Sequence, residues 1–167
     1  MPFQRGIQLP DVTLESNQEW DCLWALMDSG SSIHGIDCEK FIPGATVEKS
    51  PSQLRGDTYS CANGGILENR GQARTPARLA THDGRQRNIT WQNVKIEFPI
   101  LGTKGLAADP DHKSEIRYRE NGGTVVELED KHESAFVSHG DVYFMKVYLR
   151  KKDMRTTDKG FVRLGAA

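Results

Sequence analysis

The sequence predicts an all-β fold, and three observations carry that expectation. Its apolar stretches are short and broken by glycine and proline, as in Ile33-His34-Gly35-Ile36 and Phe41-Ile42-Pro43-Gly44, which is the punctuation of strands and turns. Asn63-Gly64-Gly65 lies between strand-like flanks, a strong hairpin signal, and Asn121-Gly122-Gly123 and His139-Gly140-Asp141 separate further alternating segments. Only residues 104–108 offer a helix, closed by the breaker Asp109-Pro110-Asp111. With 167 residues, of which 37% are hydrophobic, the chain suits one domain or a core with an appendage.

Taken in order, residues 10–16 read as a first strand, with Val12 and Leu14 alternating with polar neighbours. Residues 22–27 form an unbroken apolar run, Cys22-Leu23-Trp24-Ala25-Leu26-Met27, which is the pattern of a strand buried on both faces. A turn of small residues, 29–32, follows it. Residues 57–69 read as an exposed hairpin around Asn63-Gly64-Gly65. Residues 73–80 and 88–98 alternate and are joined by a turn at Asp83-Gly84, and 98–103 form a compact apolar group closed by Gly102. Residues 114–119, 124–128, 134–138 and 142–149 read as hairpin strands, and 156–167 as a frayed, disordered end.

Charge and cysteine usage narrow the function classes. The 22 basic and 23 acidic residues leave a net charge of −1, so the overall electrostatic footprint of a nucleic-acid binder is missing. Arg150-Lys151-Lys152, with Arg155 and Lys159 after it, reads as a solvated tail. Cys22, Cys38 and Cys61 cannot all pair and show no Cys-x-x-Cys spacing, which points to a reducing, intracellular compartment, with the cytoplasm as the expectation. The first residues lack an apolar signal core and no stretch has the length of a bilayer span, so no membrane partner is expected.

The chemistry concentrates where the run 22–27 drives Asp28 into Ser29-Gly30-Ser31. A carboxylate at the lip of a core needs hydrogen bonds or a task. Ser29 and Ser31 can donate hydroxyls toward it, and Gly30 lets backbone amides approach. The plain alternative is an ordinary turn, since Asp, Ser and Gly are the common turn residues. Other constellations are poorer. His34, Cys38 and Cys61 could be imagined as a thiol–imidazole pair or a zinc site, but no ligand spacing supports either, and His82, His112, His132 and His139 fall among turn residues. Gly64-Gly65 is not followed by Gly-Lys-Ser/Thr, and Trp20, Trp24 and Trp91 read as packing rather than as a base-stacking platform. No metal or cofactor is expected.

In their order and character, Asp28-Ser29-Gly30-Ser31 after a buried strand, the glycine-tipped hairpin, and Ile100-Leu101-Gly102 before a short helix resemble the retropepsin family of aspartic proteases, and most nearly the protease segment of retroelement polyproteins. The resemblance spans about residues 10 to 130. It implies a closed barrel with a flap hairpin and one short helix, preceded by an N-terminal extension, 1–9, and followed by a β-hairpin extension, 131–155. The chain departs from the family at Thr103, Lys104 and Gly105, where basic and acidic residues often follow the apolar-apolar-Gly motif.

What the resemblance implies for chemistry is specific. Aspartic-protease catalysis uses two carboxylates about 3 Å apart that share one proton. This chain has a single Asp-Ser/Thr-Gly, because Asp83-Gly84 lacks the middle residue and Asp158-Lys159-Gly160 carries a charged one. A two-lobed monomer is therefore excluded, and a homodimer that pairs Asp28 with its mate is implied. Within it Asp28 is the catalytic acid, Ser29 ties the two loops together, and Gly30 admits substrate backbone. Ser31 contacts an extended peptide or polyprotein substrate, and Asn63, Gly64 and Gly65 donate main-chain hydrogen bonds to it from the flap tip. Ile100, Leu101 and Gly102 pack beneath the catalytic loop. Two alternatives stay open: an inactive peptide-binding or dimerisation module of the same fold, and an unrelated β-rich domain in which the Asp-Ser-Gly turn is incidental.

Overall fold

The computed structural model describes residues 19–60 and 65–154 of the chain. The expected strand at 10–16, the end at 156–167, Cys61 and the hairpin residues Asn63 and Gly64 lie outside them. The fold is all-β, with a closed barrel of six strands. Around it run β1 (Trp20–Asp28), β7 (Ile100–Gly102), β2 (His34–Ile36), β6 (Gln86–Asn93), β5 (Gln72–Leu79) and β11 (Val142–Arg150), and β11 pairs with β1 to close the ring. From β11 the sheet continues outward through β10 (Glu133–His139), β9 (Gly122–Glu127) and β8 (Ser114–Arg119). A separate two-stranded hairpin is formed by β3 (Tyr59–Ser60) and β4 (Ile66–Leu67).

The run 22–27 is apolar throughout because both faces of β1 are covered. Ala25 and Met27 point to the barrel core with Ile36, Trp91, Leu101 and Met145, whereas Trp24 and Leu26 pack outside it with Phe144. The alternation of a strand thus serves two apolar environments at once. In the core the buried Trp91 indole donates to Thr75 Oγ1 at 2.8 Å, so its polar atom is satisfied.

Residues 131–155, expected as an extension, supply β10 and β11, and β11 is a wall of the barrel. It runs antiparallel to β1 from Leu26↔Phe144 to Trp20↔Arg150 and touches β5 at Val147↔Leu79 and Tyr148↔Arg78. Without it the buried edge of β1 would expose unpaired backbone groups. The strand expected at 88–98 begins at Gln86 and ends at Asn93. Asn93 is the last residue in register, opposite Ile36, and its side chain fastens this end of the strand by accepting from Cys38 N–H at 3.0 Å and donating to Arg70 O at 3.3 Å.

Among the described residues, helix occurs at three places besides the expected one. The expected helix is α3 (Thr103–Ala108), and α1 (Cys38–Phe41), α2 (Pro51–Leu54) and a 3₁₀ turn at Lys151–Met154 were not anticipated. The two unexpected α-helical turns, α1 and α2, each have a local start signal. Asp37 accepts from Lys40 N–H, and Ser50 accepts from Gln53 N–H with Pro51 at the first position. At Asn121-Gly122-Gly123 the turn falls one residue earlier than expected, since Arg119 already pairs with Gly122. The glycines belong to the strand, and a Cβ on Gly123 would lie 2.1 Å from Arg117 O and 2.4 Å from the Phe136 ring.

Candidate active site

Asp28 is the last residue of β1, and a parallel pairing puts it beside the apolar-apolar-Gly strand: Leu26↔Ile100, Met27↔Leu101 and Asp28↔Gly102. Strand β7 runs between β1 and β2, parallel to the first and antiparallel to the second. The loop from Asp28 to Ile33 therefore has to pass over the end of β7. That crossing is tight. A Cβ on Gly102 would fall 2.3 Å from Ile33 O and 2.6 Å from Ser31 O, both main-chain atoms of the loop, so only glycine fits.

The carboxylate is oriented by backbone. Asp28 Oδ1 accepts the Gly30 N–H at 3.0 Å, and the Ser31 N–H closes the turn onto Asp28 O at 3.3 Å. The expected hydroxyl donation from Ser31 is replaced by a different bond. Its Oγ donates to Ile33 O at 2.8 Å and accepts from Ile33 N–H at 3.2 Å, which stiffens the loop instead. Ser29 and Gly30 are exposed, and Asp28 and Ser31 are half-buried. Unlike Gly102, Gly30 is not demanded by its surroundings, since an added Cβ would sit in ordinary contact 3.5 Å from Asp28 Oδ1.

A cavity of about 90 Å³ opens beside Asp28, walled by Ile33, Val94, Ile96 and Ile100 and, from the hairpin, by Tyr59 and Leu67. The hairpin stands over the acid because its base is rooted in a polar cluster. Tyr59 OH donates to Gln92 Oε1 at 3.0 Å and lies 3.1 Å from Ser52 Oγ, and Asn69 Nδ2 donates to Ser52 Oγ at 2.9 Å. Sequence reasoning missed Tyr59, Ser52, Asn69 and Gln92 as a set, because nothing in their spacing marks them as neighbours. Gly65 is exposed on the hairpin.

His34, considered in the sequence only as a partner for a cysteine or a metal, instead meets the Gly102 backbone. Its Nδ1 accepts the Gly102 N–H at 3.1 Å, and its ring meets Trp91 edge-on with centroids 6.3 Å apart. Burial, and then the Arg87 charge, push its imidazole down to about 4. Arg87 is itself buried and holds the segment after α3, donating to Asp109 at 3.1 Å and to His112 O at 3.3 Å. Burial opposes ionisation of Asp109, but the Asp111 N–H and Arg87 hold its carboxyl below the ordinary range.

The other imagined chemistry finds little support in the geometry. Cys38 is buried and its thiol is pushed up to about 12, by burial and then by Asp37, so it does not present a thiolate to His34. Among the described residues, no group of three His, Cys, Asp or Glu side chains is placed to hold a metal ion. No helix among them is long and apolar enough to cross a membrane. The chain has no significant match among protein-family models, curated proteins or solved structures.

Proposed function

We propose that this chain is a retropepsin-like aspartic endopeptidase, derived from a retroelement polyprotein, in which two copies each contribute Asp28 to one catalytic pair. The observation that carries this reading is the pairing of Asp28 with Gly102, with the loop carbonyls of Ser31 and Ile33 seated on the glycine and a hairpin over the resulting cavity. Three segments far apart in sequence, each singled out for the resemblance, meet at one place. A single chain offers one such acid, so symmetry has to supply the second.

In the proposed dimer the ionised member of the pair takes a proton from a bound water while the protonated member donates to the scissile carbonyl, and the roles then exchange. The proton belongs to the pair rather than to either residue. Gly30 leaves room above the carboxylate for substrate backbone, and an extended peptide pairs with main-chain groups of the hairpin. The apolar wall of Ile33, Val94, Ile96 and Ile100 offers a place for one side chain of that peptide.

The test is cleavage of extended peptides in mildly acidic buffer. Turnover that pepstatin blocks and Asp28→Asn abolishes supports the enzyme, and sedimentation should show two chains at working concentration. A strict monomer removes the mechanism. A second reading, a non-catalytic peptide-binding or dimerisation module of the same fold, is favoured by one observation: Thr103 is buried and Lys104 exposed where the family often carries a basic and an acidic residue. A folded dimer without turnover across about pH 3 to 7 would select that module.

A further inference from the structure

His34 has no place in the chemistry proposed above, yet it sits at the crossing on which that chemistry depends. The Gly102 N–H can donate to Nδ1 only if that nitrogen carries its lone pair, so the imidazole is neutral with its proton on Nε2. The ring has little freedom to turn away. A Cβ on Gly105 of α3 would lie 3.1 Å from its Cε1 and 3.2 Å from its Nε2, and Trp91 of β6 meets it edge-on. Gly102, the residue it holds, is the one pressed against the carbonyls of Ser31 and Ile33 and paired with Asp28.

We propose that His34 is a positioning residue: its unprotonated Nδ1 holds the Gly102 amide and so seats β7 under the loop that carries Asp28. Protonation of the ring places a second donor against the Gly102 N–H and breaks the contact. The charged groups around the ring come from three sides. Arg87 on β6 disfavours the imidazolium and Asp109 after α3 favours it, while Arg74 of β5, Asp111 and His112 border the same polar cavity of about 360 Å³. With the imidazole held at about 4, the contact persists through the mildly acidic range and opens below it. Asp28 is thereby coupled to a group that contacts neither the acid nor the cavity beside it.

The test combines two readouts on the full-length chain, and the activity readout alone rests on the endopeptidase reading. His34→Asn keeps an acceptor close to the Nδ1 position but does not titrate, whereas His34→Leu removes the acceptor. By nitrogen-15 NMR, the wild-type Gly102 amide should shift with a midpoint near 4, stay hydrogen-bonded and pH-insensitive in His34→Asn, and lose exchange protection in His34→Leu. In peptide cleavage, His34→Leu should lower kcat at least about tenfold with KM little changed, and His34→Asn should restore it to within about threefold. A Gly102 amide indifferent to pH between about 6 and 3, or equally protected in His34→Leu, overturns the proposal. So does His34→Asn proving as impaired as His34→Leu. If no form cleaves peptide, the endopeptidase reading fails while the amide measurements still decide the role of His34.

Discussion

The two ends of β1 show opposite solutions to the same problem. At its start Trp20 is buried between two guanidinium groups, Arg78 at 5.2 Å and Arg150 at 5.1 Å from its ring, and Arg150 is tied to Glu19 at 2.9 Å. His82 and Tyr148 complete the cover, edge to face with each other at 5.9 Å. At its other end the strand delivers Asp28 to a half-open position, held by one hydrogen bond from Gly30 and facing a cavity. One end is closed by aromatic and cationic contacts that satisfy each other. The other spends rigid backbone on orienting a single carboxylate and leaves its second oxygen available. The barrel between them separates a closed, mutually satisfied end from an end where an oriented carboxylate meets a cavity.

Substitutions at the two ends should therefore separate cleanly. Asp28→Asn preserves the Oδ1 acceptor for Gly30, so cleavage should fall by about a thousandfold or more while unfolding free energy changes by less than about 0.5 kcal/mol. Peptide turnover and urea unfolding on one preparation check both halves, and an active Asp28→Asn would end the contrast. At the opposite end, Trp20→Ala should cost about 3 to 5 kcal/mol yet leave kcat per folded molecule within about twofold. A large loss of kcat there would mean that the ends are coupled.

The pH dependence of stability sharpens the comparison at the acid end. His34 titrates lower in the folded chain, about 4, than the ordinary 6.5. Its contribution is fully present above about pH 6.5 and is lost as pH falls toward 4, where the unfolded chain binds a proton that the folded chain refuses. That difference is on the order of 3 kcal/mol. Unfolding of the wild type against His34→Asn across this window should reveal it, and parallel curves would dispose of it.

The two glycines beneath and beside the acid supply the smallest effects. Gly102→Ala forces a methyl group against main-chain carbonyls and should destabilise by about 1 to 3 kcal/mol. Gly30→Ala meets only an ordinary contact and should stay within about 0.5 kcal/mol of the parent in thermal unfolding. If Gly30→Ala nevertheless lowers cleavage sharply, the glycine is needed for what approaches from outside the chain, as substrate backbone would.

Much of this architecture was legible from local pattern. The outer strands β8 and β10 fall where the turn residues put them, β10 with the expected alternation, whereas β9 begins two residues early at Gly122 and is buried throughout; the run from Cys22 to Met27 announced a strand covered on both faces. The short helices α1 and α2 were not anticipated although Asp37 and Ser50-Pro51 mark their starts, because a four-residue helix has no periodicity to detect. The Ser31 hydroxyl was expected at the carboxylate and instead bonds Ile33, since rotation about one side-chain bond is decided by the folded loop.

The amino-acid order alone determined the all-β class, the acid at the end of a buried strand, the hairpin and the glycine-closed strand, because turn chemistry and alternation act over a few neighbouring residues. Only the tertiary structure decided that β11 closes the barrel against β1, that Gly102 lies under the Asp28 loop, that Tyr59 roots the hairpin on Gln92, and that His34 holds the Gly102 amide. Each of these joins segments tens of residues apart. Such pairings are chosen by the need to satisfy backbone groups and fill one core at the same time, a condition on the whole chain that no local stretch of sequence expresses.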